Sequence, residues 1–250
     1  MLAQLFSLLT LAVSATLAAP TAPTSLDQRA VARRSLSGQA TFYGGNVHGG
    51  TCSFSTYTLP SGLYGTALSD SNWDDAGNCG GCVAVTYGGK TVTAMIVDEC
   101  PGCGTNHLDL FPTTFSALAS PSAGIIDVTW DYVPCPVTGP LQIHMARAST
   151  TLPPRTLSNT YVQKSGVSEY WFSAQVVNAH RRTSKMEVST NQGASWTTAT
   201  RMTYNFFEIS SGVGANSAWI RVTSQTGTTV VVKNVPMTSD AIVTAGGNYA

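Results

Sequence analysis

All six cysteines of this 250-residue chain lie between Cys52 and Cys135, and four of them form the pairs Cys79–Cys82 and Cys100–Cys103. Two Cys-x-x-Cys pairs are typical of a zinc ribbon inside the cell, whereas six cysteines in a secreted protein usually form three disulfides. The choice between zinc and disulfides therefore depends on the compartment, and the spacing alone leaves the disulfide connectivity open.

The amino-terminal residues indicate the compartment. Residues 1–19 are uncharged and apolar and end in small residues, as a secretory signal peptide does. Residues 20–34 are rich in Pro, Thr and Ala and end in the dibasic pair Arg33–Arg34, which is typical of a processed pro-segment. We therefore expect a secreted, extracellular protein with disulfides, and neither a metal nor a cofactor.

The zero net charge hides an uneven distribution along the chain. Residues 35–138 carry one Lys against eight Asp and Glu, a net charge of −7. Residues 139–250 carry nine Lys and Arg against four Asp and Glu, a net charge of +5. Because every cysteine lies in the acidic part, the sequence predicts two domains, 35–138 and 139–250.

Composition excludes several classes of protein. Charged residues make up only 10% of the chain, which argues against a coiled coil and against intrinsic disorder. The basic residues of the second part are not clustered beyond Arg181–Arg182, so no nucleic-acid partner is expected. The apolar run at the amino terminus is shorter than a membrane helix and no later run replaces it, so no membrane partner is expected.

The distribution of β-branched and aromatic residues predicts an almost entirely β chain. In the first part we expect one helix at 111–119 and strands at 37–43, 82–87, 90–97 and 125–133. In the second part, turns such as Asn191-Gln192-Gly193 separate runs that are spaced as in a β-sandwich. These runs are 170–178, 185–190, 202–209, 218–223 and 229–235.

Residues 146–163 do not fit this pattern. The segment is rich in Ser, Thr and Pro, which is typical of a loop or an O-glycosylated linker inserted into the second domain. A retained intron in the gene is the alternative.

Several motifs, in order along the chain, resemble those of expansins. The first part carries Gly38-Gln-Ala-Thr-Phe-Tyr-Gly44, Cys79-Gly-Gly-Cys82 and His107-Leu-Asp-Leu110, and the second carries Tyr170-Trp-Phe-Ser-Ala-Gln-Val-Val-Asn178 and Tyr204-Asn-Phe-Phe207. The resemblance covers about residues 36–250. It implies an all-β fold, a six-stranded double-psi β-barrel followed by an immunoglobulin-like carbohydrate-binding β-sandwich. It also implies loosening of plant-type cell walls without hydrolysis.

The carboxylates of the first part decide whether hydrolysis of a glycan is expected. Inverting hydrolysis of a glycosidic bond needs two carboxyl groups roughly 6.5–9.5 Å apart, one acting as acid and one as base. Asp109 matches the acid of the related family 45 endoglucanases, but Gly45 occupies the position of their catalytic base. A lone acid can bond a glycan oxygen but cannot activate water. In expansins the residue matching Asp98 supports the acid, and hydrolysis through Asp98 is the rival interpretation.

The resemblance assigns further residues to two binding surfaces. Thr41 and Tyr43 match residues that line the expansin groove beside the acid. Adjacent strand residues point to opposite faces, so Tyr170 and Trp171 can share a surface only in a loop or bulge. The residues that match the flat carbohydrate-binding strip of the second domain, and a basic residue beside it, are Tyr170, Trp171, Tyr204 and Lys164.

The resemblance also implies the disulfides Cys52–Cys79, Cys82–Cys135 and Cys100–Cys103. A loop closed by Cys100 and Cys103 stands where some bacterial relatives carry a groove tyrosine. Among the tryptophans, Trp73 is expected in an exposed loop, and the three expected in the core are Trp130, Trp196 and Trp219.

The expected function is that of a monomeric, non-enzymatic expansin-like protein that binds cell-wall polysaccharide and loosens it. Cellulose and the matrix glycans xyloglucan and xylan are the expected partners, with chitin as a further candidate. Two alternatives remain: a weak family-45-like endoglucanase, and a pure carbohydrate-binding or barwin-like defence or elicitor protein in which Asp109 is dispensable.

Overall fold

The computed structural model describes residues 35–45, 47–147 and 166–250. The predicted signal peptide and pro-segment, Lys164, and the segment 146–163 beyond Arg147 lie outside the described residues. Within the described residues, no helix is long and apolar enough to cross a membrane.

Six strands of the described chain close into a barrel in the order β1-β5-β2-β4-β3-β6. The pairs β1–β5 and β2–β4 are parallel and the other pairs are antiparallel. The strands are β1 (Leu36–Phe42), β2 (Tyr64–Ser69), β3 (Cys82–Tyr87), β4 (Lys90–Cys100), β5 (Leu108–Leu110) and β6 (Ile126–Val133).

One α-helix, α1 (Pro112–Leu118), packs against the barrel in the described part of the chain. Pro112 begins the helix, where a missing backbone N–H costs nothing because the first turn has no acceptor for it. Phe115 and Leu118 are buried in the same core as the barrel residues. The predicted helix is therefore confirmed, within one residue at each end.

Three disulfides join all six cysteines, each of which lies in the described chain. Cys52 is bonded to Cys79, Cys82 to Cys135 and Cys100 to Cys103, which are the pairs that the resemblance implies. The first two cross-links join segments that are far apart in sequence and should stabilise the barrel by restricting the unfolded chain.

Eight strands of the second part follow one another in the hydrogen-bonded order β13-β12-β9-β10-β11-β8-β7-β14, and every pair is antiparallel. Side chains of β12 and β13, near one end of the sheet, share a single hydrophobic core with side chains of β7 and β8, near the other end. The sheet therefore folds over into a sandwich. The strands are β7 (Gln142–Met145), β8 (Phe172–Val177), β9 (Thr183–Ser189), β10 (Thr197–Arg201), β11 (Phe207–Ile209), β12 (Ser217–Ser224), β13 (Thr229–Pro236) and β14 (Ile242–Thr244).

Strand β8 explains how the sandwich meets the barrel. All six of its residues are buried, although the sequence Phe-Ser-Ala-Gln-Val-Val alternates between apolar and polar at its start. Phe172 and Ala174 belong to the sandwich core, whereas Gln175 donates to the carbonyl of Cys52 in the barrel at 3.3 Å. The strand is therefore covered on both faces.

Other hydrogen bonds cross from barrel to sandwich. The Thr56 hydroxyl lies 2.7 Å from Nδ1 of His144, and the Tyr57 hydroxyl donates to Oδ1 of Asn178 at 3.2 Å. The guanidinium of Arg182 lies 4.2 Å from the ring centroid of Tyr132. The two parts of the fold are thus held together by directional contacts, which fix their relative orientation more strictly than apolar packing alone.

Candidate functional site

Strand pairing aligns four residues across adjacent barrel strands. Thr41 on β1 is opposite Asp109 on β5, Asp109 is opposite Ala67 on β2, and Ala67 is opposite Asp98 on β4. Directly opposed residues place their side chains on the same face of a sheet. The two carboxylates are therefore two strand spacings apart, about 10 Å between Cα atoms at about 4.8 Å per spacing.

Asp109 is held by a short chain of hydrogen bonds. The Thr41 hydroxyl donates to Oδ1 of Asp109 at 2.6 Å, and Nε2 of His107 lies 2.9 Å from the same hydroxyl oxygen. Because the hydroxyl hydrogen goes to the carboxylate, its oxygen accepts from His107 Nε2–H. Burial lowers the pKa of His107, against the opposite effect of Asp109, so the imidazole is neutral at pH 7. His107 was not among the site residues predicted from the sequence.

Asp98 accepts hydrogen bonds at both carboxylate oxygens. Oδ1 accepts from the backbone N–H of Thr51 at 2.7 Å and of Glu99 at 2.9 Å, and Oδ2 accepts from the Tyr43 hydroxyl at 3.2 Å. Burial and the charges of Asp98 and Asp109 raise the pKa of Tyr43, so its phenol stays protonated and remains a donor. Asp98 thus orients Tyr43 and, through Thr51, the loop above the groove.

The Tyr43 ring also explains the glycine at position 45. A Cβ atom added to Gly45 would overlap the Tyr43 ring and hydroxyl. No side chain, and hence no carboxylate, can stand at position 45 while Tyr43 keeps its place. The ring is further supported by an edge contact with Phe111, with 5.8 Å between ring centroids.

The loop after β4 is acidic. Burial and the neighbouring charges of Asp70, Asp98 and Asp75 raise the pKa of Glu99, which immediately precedes the Cys100–Cys103 loop. The backbone N–H of Gly102 donates to Asp70 at 3.2 Å and holds this loop in place. In the described part of the chain, no group of three or more His, Cys, Asp or Glu side chains is arranged to hold a metal ion.

On the sandwich, Tyr170 sits at the tip of a tight turn and is 74% exposed. Ser168 and Trp171 exchange backbone hydrogen bonds of 2.9 and 3.2 Å across this turn. The chain at Tyr170 and Trp171 is therefore a loop, the condition under which the two neighbouring aromatics can share a surface. The backbone N–H groups of Val213 and Gly214 both donate to the Glu169 carbonyl at 2.9 Å and fix the turn.

Tyr204 is held by a hydrogen bond to Glu208 of strand β11. Its hydroxyl donates to Oε1 of Glu208 at 2.7 Å, and the Ser173 hydroxyl donates to the same oxygen at 3.1 Å. Burial and Glu208 raise the pKa of Tyr204. Trp171 is half-buried and directly precedes β8. The Tyr204 and Ser173 hydroxyls thus converge on one oxygen of Glu208.

The remaining tryptophans give a mixed result. Trp130 is 1% exposed and belongs to the barrel core, as expected. Trp73 is 6% exposed, so the prediction of an exposed loop was wrong; it packs in the barrel core. Trp196 and Trp219 are half-buried and do not belong to the sandwich core, so the prediction for these two was wrong. The cations of Arg221 and Lys233 lie over their rings at 4.3 and 4.7 Å, a contact that suits a ring near the surface.

Comparison with known proteins bears on this arrangement. Residues 65–130 match the protein family described as lytic transglycolase. Expansin-like protein 5 of Dictyostelium discoideum is 27% identical over 220 residues, which is 84% of this chain and 84% of that protein. The expansin YoaJ of Bacillus subtilis is 29% identical over 202 residues, 77% of this chain and 75% of that protein.

Solved structures agree with the sequence relatives. The crystal structure of the expansin of Clavibacter michiganensis is 27% identical, with a TM-score of 0.71, and covers 86% of this chain and 98% of its own. A mutant of that expansin in complex with cellohexaose matches with a TM-score of 0.72 and the same identity and coverage. With its closed six-stranded barrel, its β-sandwich and these relatives, the chain belongs to the expansin-like family of double-psi barrel proteins.

Proposed function

We propose that this protein is secreted, binds polysaccharide chains of plant-type cell walls, and loosens them without cutting the glycosidic bond. The barrel groove around Asp98 and Asp109 contacts one chain, and the aromatic residues of the sandwich anchor the protein on the wall. A related expansin in complex with cellohexaose supports a β-linked glucan as the ligand class. Cellulose, xyloglucan and xylan are the proposed partners, and chitin is the further candidate.

One observation carries the proposal that no hydrolysis occurs. The Tyr43 ring fills the space into which a side chain at position 45 would extend. Hydrolysis with inversion requires a carboxylate that activates water on the face of the sugar opposite the acid. With Gly45 at this position and Tyr43 over it, the groove retains an acid but no base there.

Asp109 then acts as a hydrogen-bonding group. Its Oδ1 accepts from Thr41, which leaves further acceptor sites on the carboxylate for glycan hydroxyls. Hydrogen bonds to a charged group contribute about 1.5–3 kcal/mol, more than one between neutral groups. A chain gripped in this way loses hydrogen bonds to its neighbours, and the contact between the chains is loosened.

The sandwich contributes anchoring. An exposed Tyr170, with Trp171 and Tyr204 on the adjoining surface, offers aromatic faces to the C–H groups of pyranose rings. Each ring contact is worth about 0.5–1.5 kcal/mol, so binding is weak and reversible at each site. Weak binding suits a protein that moves along a wall surface.

A weak endoglucanase is the rival function, and one observation favours it. Asp98 and Asp109 stand on the same face of the barrel, two strands apart, about 10 Å between Cα atoms by strand spacing. Their carboxyl groups could therefore fall within reach of both faces of one sugar. Against this, Asp98 already accepts from Thr51, Glu99 and Tyr43, which hold its carboxylate on the protein.

The deciding experiment pairs two measurements on the mature protein and on Asp109→Asn. The first is the reducing sugar released from cellulose, xylan and chitin; the second is the loss of tensile strength of wet cellulose paper. We expect weakening of paper without release of sugar. In Asp109→Asn, weakening should fall by about tenfold or more, the equivalent of one charge-assisted hydrogen bond.

Each other outcome supports a different function. Release of sugar that disappears in both Asp109→Asn and Asp98→Asn identifies an endoglucanase that uses the two carboxylates. Binding that is indifferent to both substitutions, without weakening of paper, identifies a carbohydrate-binding module. A thermal unfolding curve of each variant, unchanged from that of the wild-type protein, is the control for folding.

A further inference from the structure

The backbone at Thr51 and Cys52 links the barrel groove to the sandwich. On the groove side, the N–H of Thr51 donates to Oδ1 of Asp98 at 2.7 Å and the N–H of Cys52 donates to the Val97 carbonyl at 3.3 Å. Cys52 is completely buried and is bonded to Cys79. A displacement of these two residues would therefore disturb the hydrogen bond that orients the Asp98 carboxylate.

On the other side, two amides of the sandwich bind the carbonyl of Cys52. Nε2 of Gln175 donates to it at 3.3 Å, and Nδ2 of Asn205 donates to it at 3.2 Å. Gln175 is 1% exposed and Asn205 is 5% exposed. Both lone pairs of one carbonyl are thus used by side chains that lie more than a hundred residues further along the chain.

Asn205 makes this contact from an unfavourable backbone conformation. Its φ of +65° lies in the left-handed region, which is unfavourable for residues other than glycine and least so for Asn and Asp. Its Oδ1 accepts from Arg201 at 3.0 Å, and Arg201 also donates to the carbonyl of Ala76 in the barrel at 3.2 Å. The orientation of the Asn205 amide is therefore determined from both ends.

Both amides are connected to Tyr204, one directly along the chain and the other through Ser173 and Glu208. Asn205 directly follows Tyr204. Gln175 lies two residues beyond Ser173, whose hydroxyl shares the Glu208 oxygen with the Tyr204 hydroxyl. The connection from Tyr204 to Asp98 thus consists of the Asn205 hydrogen bond to the Cys52 carbonyl, the backbone between Cys52 and Thr51, and the Thr51 hydrogen bond to Asp98.

We propose that Gln175 and Asn205 are positioning residues that fix the aromatic surface of the sandwich relative to the carboxylates of the groove. Their role is to let one long glucan chain contact both surfaces at once. The inference rests on the proposed function, since it assumes that both surfaces bind glucan. Joining two weak sites rigidly raises the affinity for a ligand that spans them by about 10²–10⁴.

The test uses Gln175→Met with Asn205→Gly in one variant of the mature protein. Methionine keeps the length of Gln175 without its amide, and glycine accepts the left-handed backbone at position 205. The matched control combines Gln39→Met with Asn234→Gly, since both residues are exposed, Gln39 lies in a strand as Gln175 does, and Asn234 has a positive φ of 55°.

Binding of cellotriose and of cellohexaose is measured by calorimetry. We expect wild-type and control proteins to bind cellohexaose much more tightly than cellotriose. In the positioning variant, affinity for cellohexaose should fall by about tenfold while affinity for cellotriose stays within about twofold. Loss of general stability would weaken binding of both sugars alike.

A second readout does not depend on sugar. The Thr51 amide hydrogen should exchange faster with solvent in the positioning variant than in the control. The reason is that the neighbouring Cys52 carbonyl has lost its hydrogen bonds to the sandwich. A variant that keeps the wild-type preference for cellohexaose overturns the proposal and leaves the proposed function intact. Wild-type protein that binds neither sugar overturns the proposed function and this proposal with it.

Discussion

At the scale of single residues, the groove is organised around the ring of Tyr43. Gly45 has no room for a side chain because this ring lies beside it, whereas a Cβ added to Gly44 would meet nothing within 4 Å. Neither glycine has a positive φ, so an alanine at either position avoids the strain of a left-handed backbone. The pair therefore separates the effect of crowding from that of losing a glycine.

We expect Gly45→Ala to lower the free energy of unfolding by about 1–3 kcal/mol, the usual cost of overpacking, and Gly44→Ala to change it little. Urea unfolding of both variants measures the difference. In a Tyr43→Ala background the cost of Gly45→Ala should vanish, because the overlapping ring is gone. Equal costs at the two glycines would show that the Tyr43 ring does not define the space at position 45.

At the level of residues, the sequence names a candidate where a motif contains it, and it carries no information on contacts that depend on distant neighbours. Asp109 is a candidate because its motif matches an acid in a related family, and its role stays a prediction. The substitution of the base by Gly45 was found in the same way, but its physical reason is a ring two residues earlier in the chain. His107 was missed because its contact with Thr41 depends on the parallel pairing of β1 with β5.

At the scale of elements, the turn before β8 presents Tyr170. Gly212 lies against this turn, and a Cβ added there would overlap the Glu169 carbonyl and the Tyr170 backbone. Gly214 also has a positive φ, 68° against 70° for Gly212, but its added Cβ would meet nothing within 4 Å. The two glycines have nearly the same φ, but only at Gly212 would an added Cβ overlap neighbouring atoms.

We expect Gly212→Ala to displace the turn and reduce binding to insoluble cellulose about as much as Tyr170→Ala, roughly three- to tenfold for one aromatic contact. Gly214→Ala introduces a similar strain from its positive φ, but it should bind cellulose like the wild-type protein. A depletion assay over a range of cellulose concentrations gives the comparison. Similar losses in both glycine variants would mean that backbone strain, not the position of Tyr170, controls binding.

Element boundaries show which patterns carry information. Strand β3 was predicted with the observed bounds, because it is bounded by the glycines at 81 and 88. Strand β2 was missed, because its sequence has few β-branched residues and five of its six residues are buried, which leaves no alternation to recognise. Strand β5 was missed because it has only three residues. The predicted strand at 202–209 is reduced to β11, since a turn occupies Met202 to Phe206.

At the scale of the whole molecule, the contacts between barrel and sandwich could not be predicted. Thr56 and His144 are 88 residues apart, and Cys52 and Gln175 are 123 apart. Thr56, His144 and Gln175, taken alone, are typical of a polar surface, and Cys52 contributes only its backbone carbonyl. They become an interface only because β8 and its neighbours present a polar face that the barrel covers. Composition and charge indicated two parts of different character but carried no information on how they meet.

His144 makes this interface sensitive to acid. Nδ1 is 2.7 Å from the Thr56 hydroxyl and Nε2 is 3.0 Å from Oε1 of Gln142, and burial lowers the pKa of His144 from 6.5 to about 4. Between these two pH values the unfolded chain binds a proton at His144 and the folded protein does not. The contribution of His144 to stability is therefore complete above pH 6.5 and is lost as the pH falls towards 4.

We expect the free energy of unfolding to fall between pH 7 and pH 4.5 in the wild-type protein, and to fall less steeply in His144→Gln, which cannot take up the proton. Urea unfolding at pH 7, 5.5 and 4.5 measures both slopes. Carboxylates and His107 titrate in both proteins, so the difference between the slopes isolates His144. His48→Gln, at an exposed position, is the matched control for replacing a histidine by glutamine. If His144→Gln loses stability with acid as steeply as the wild-type protein, protonation at this interface does not govern the acid response, and the barrel–sandwich contact must be stabilised chiefly by its other hydrogen bonds.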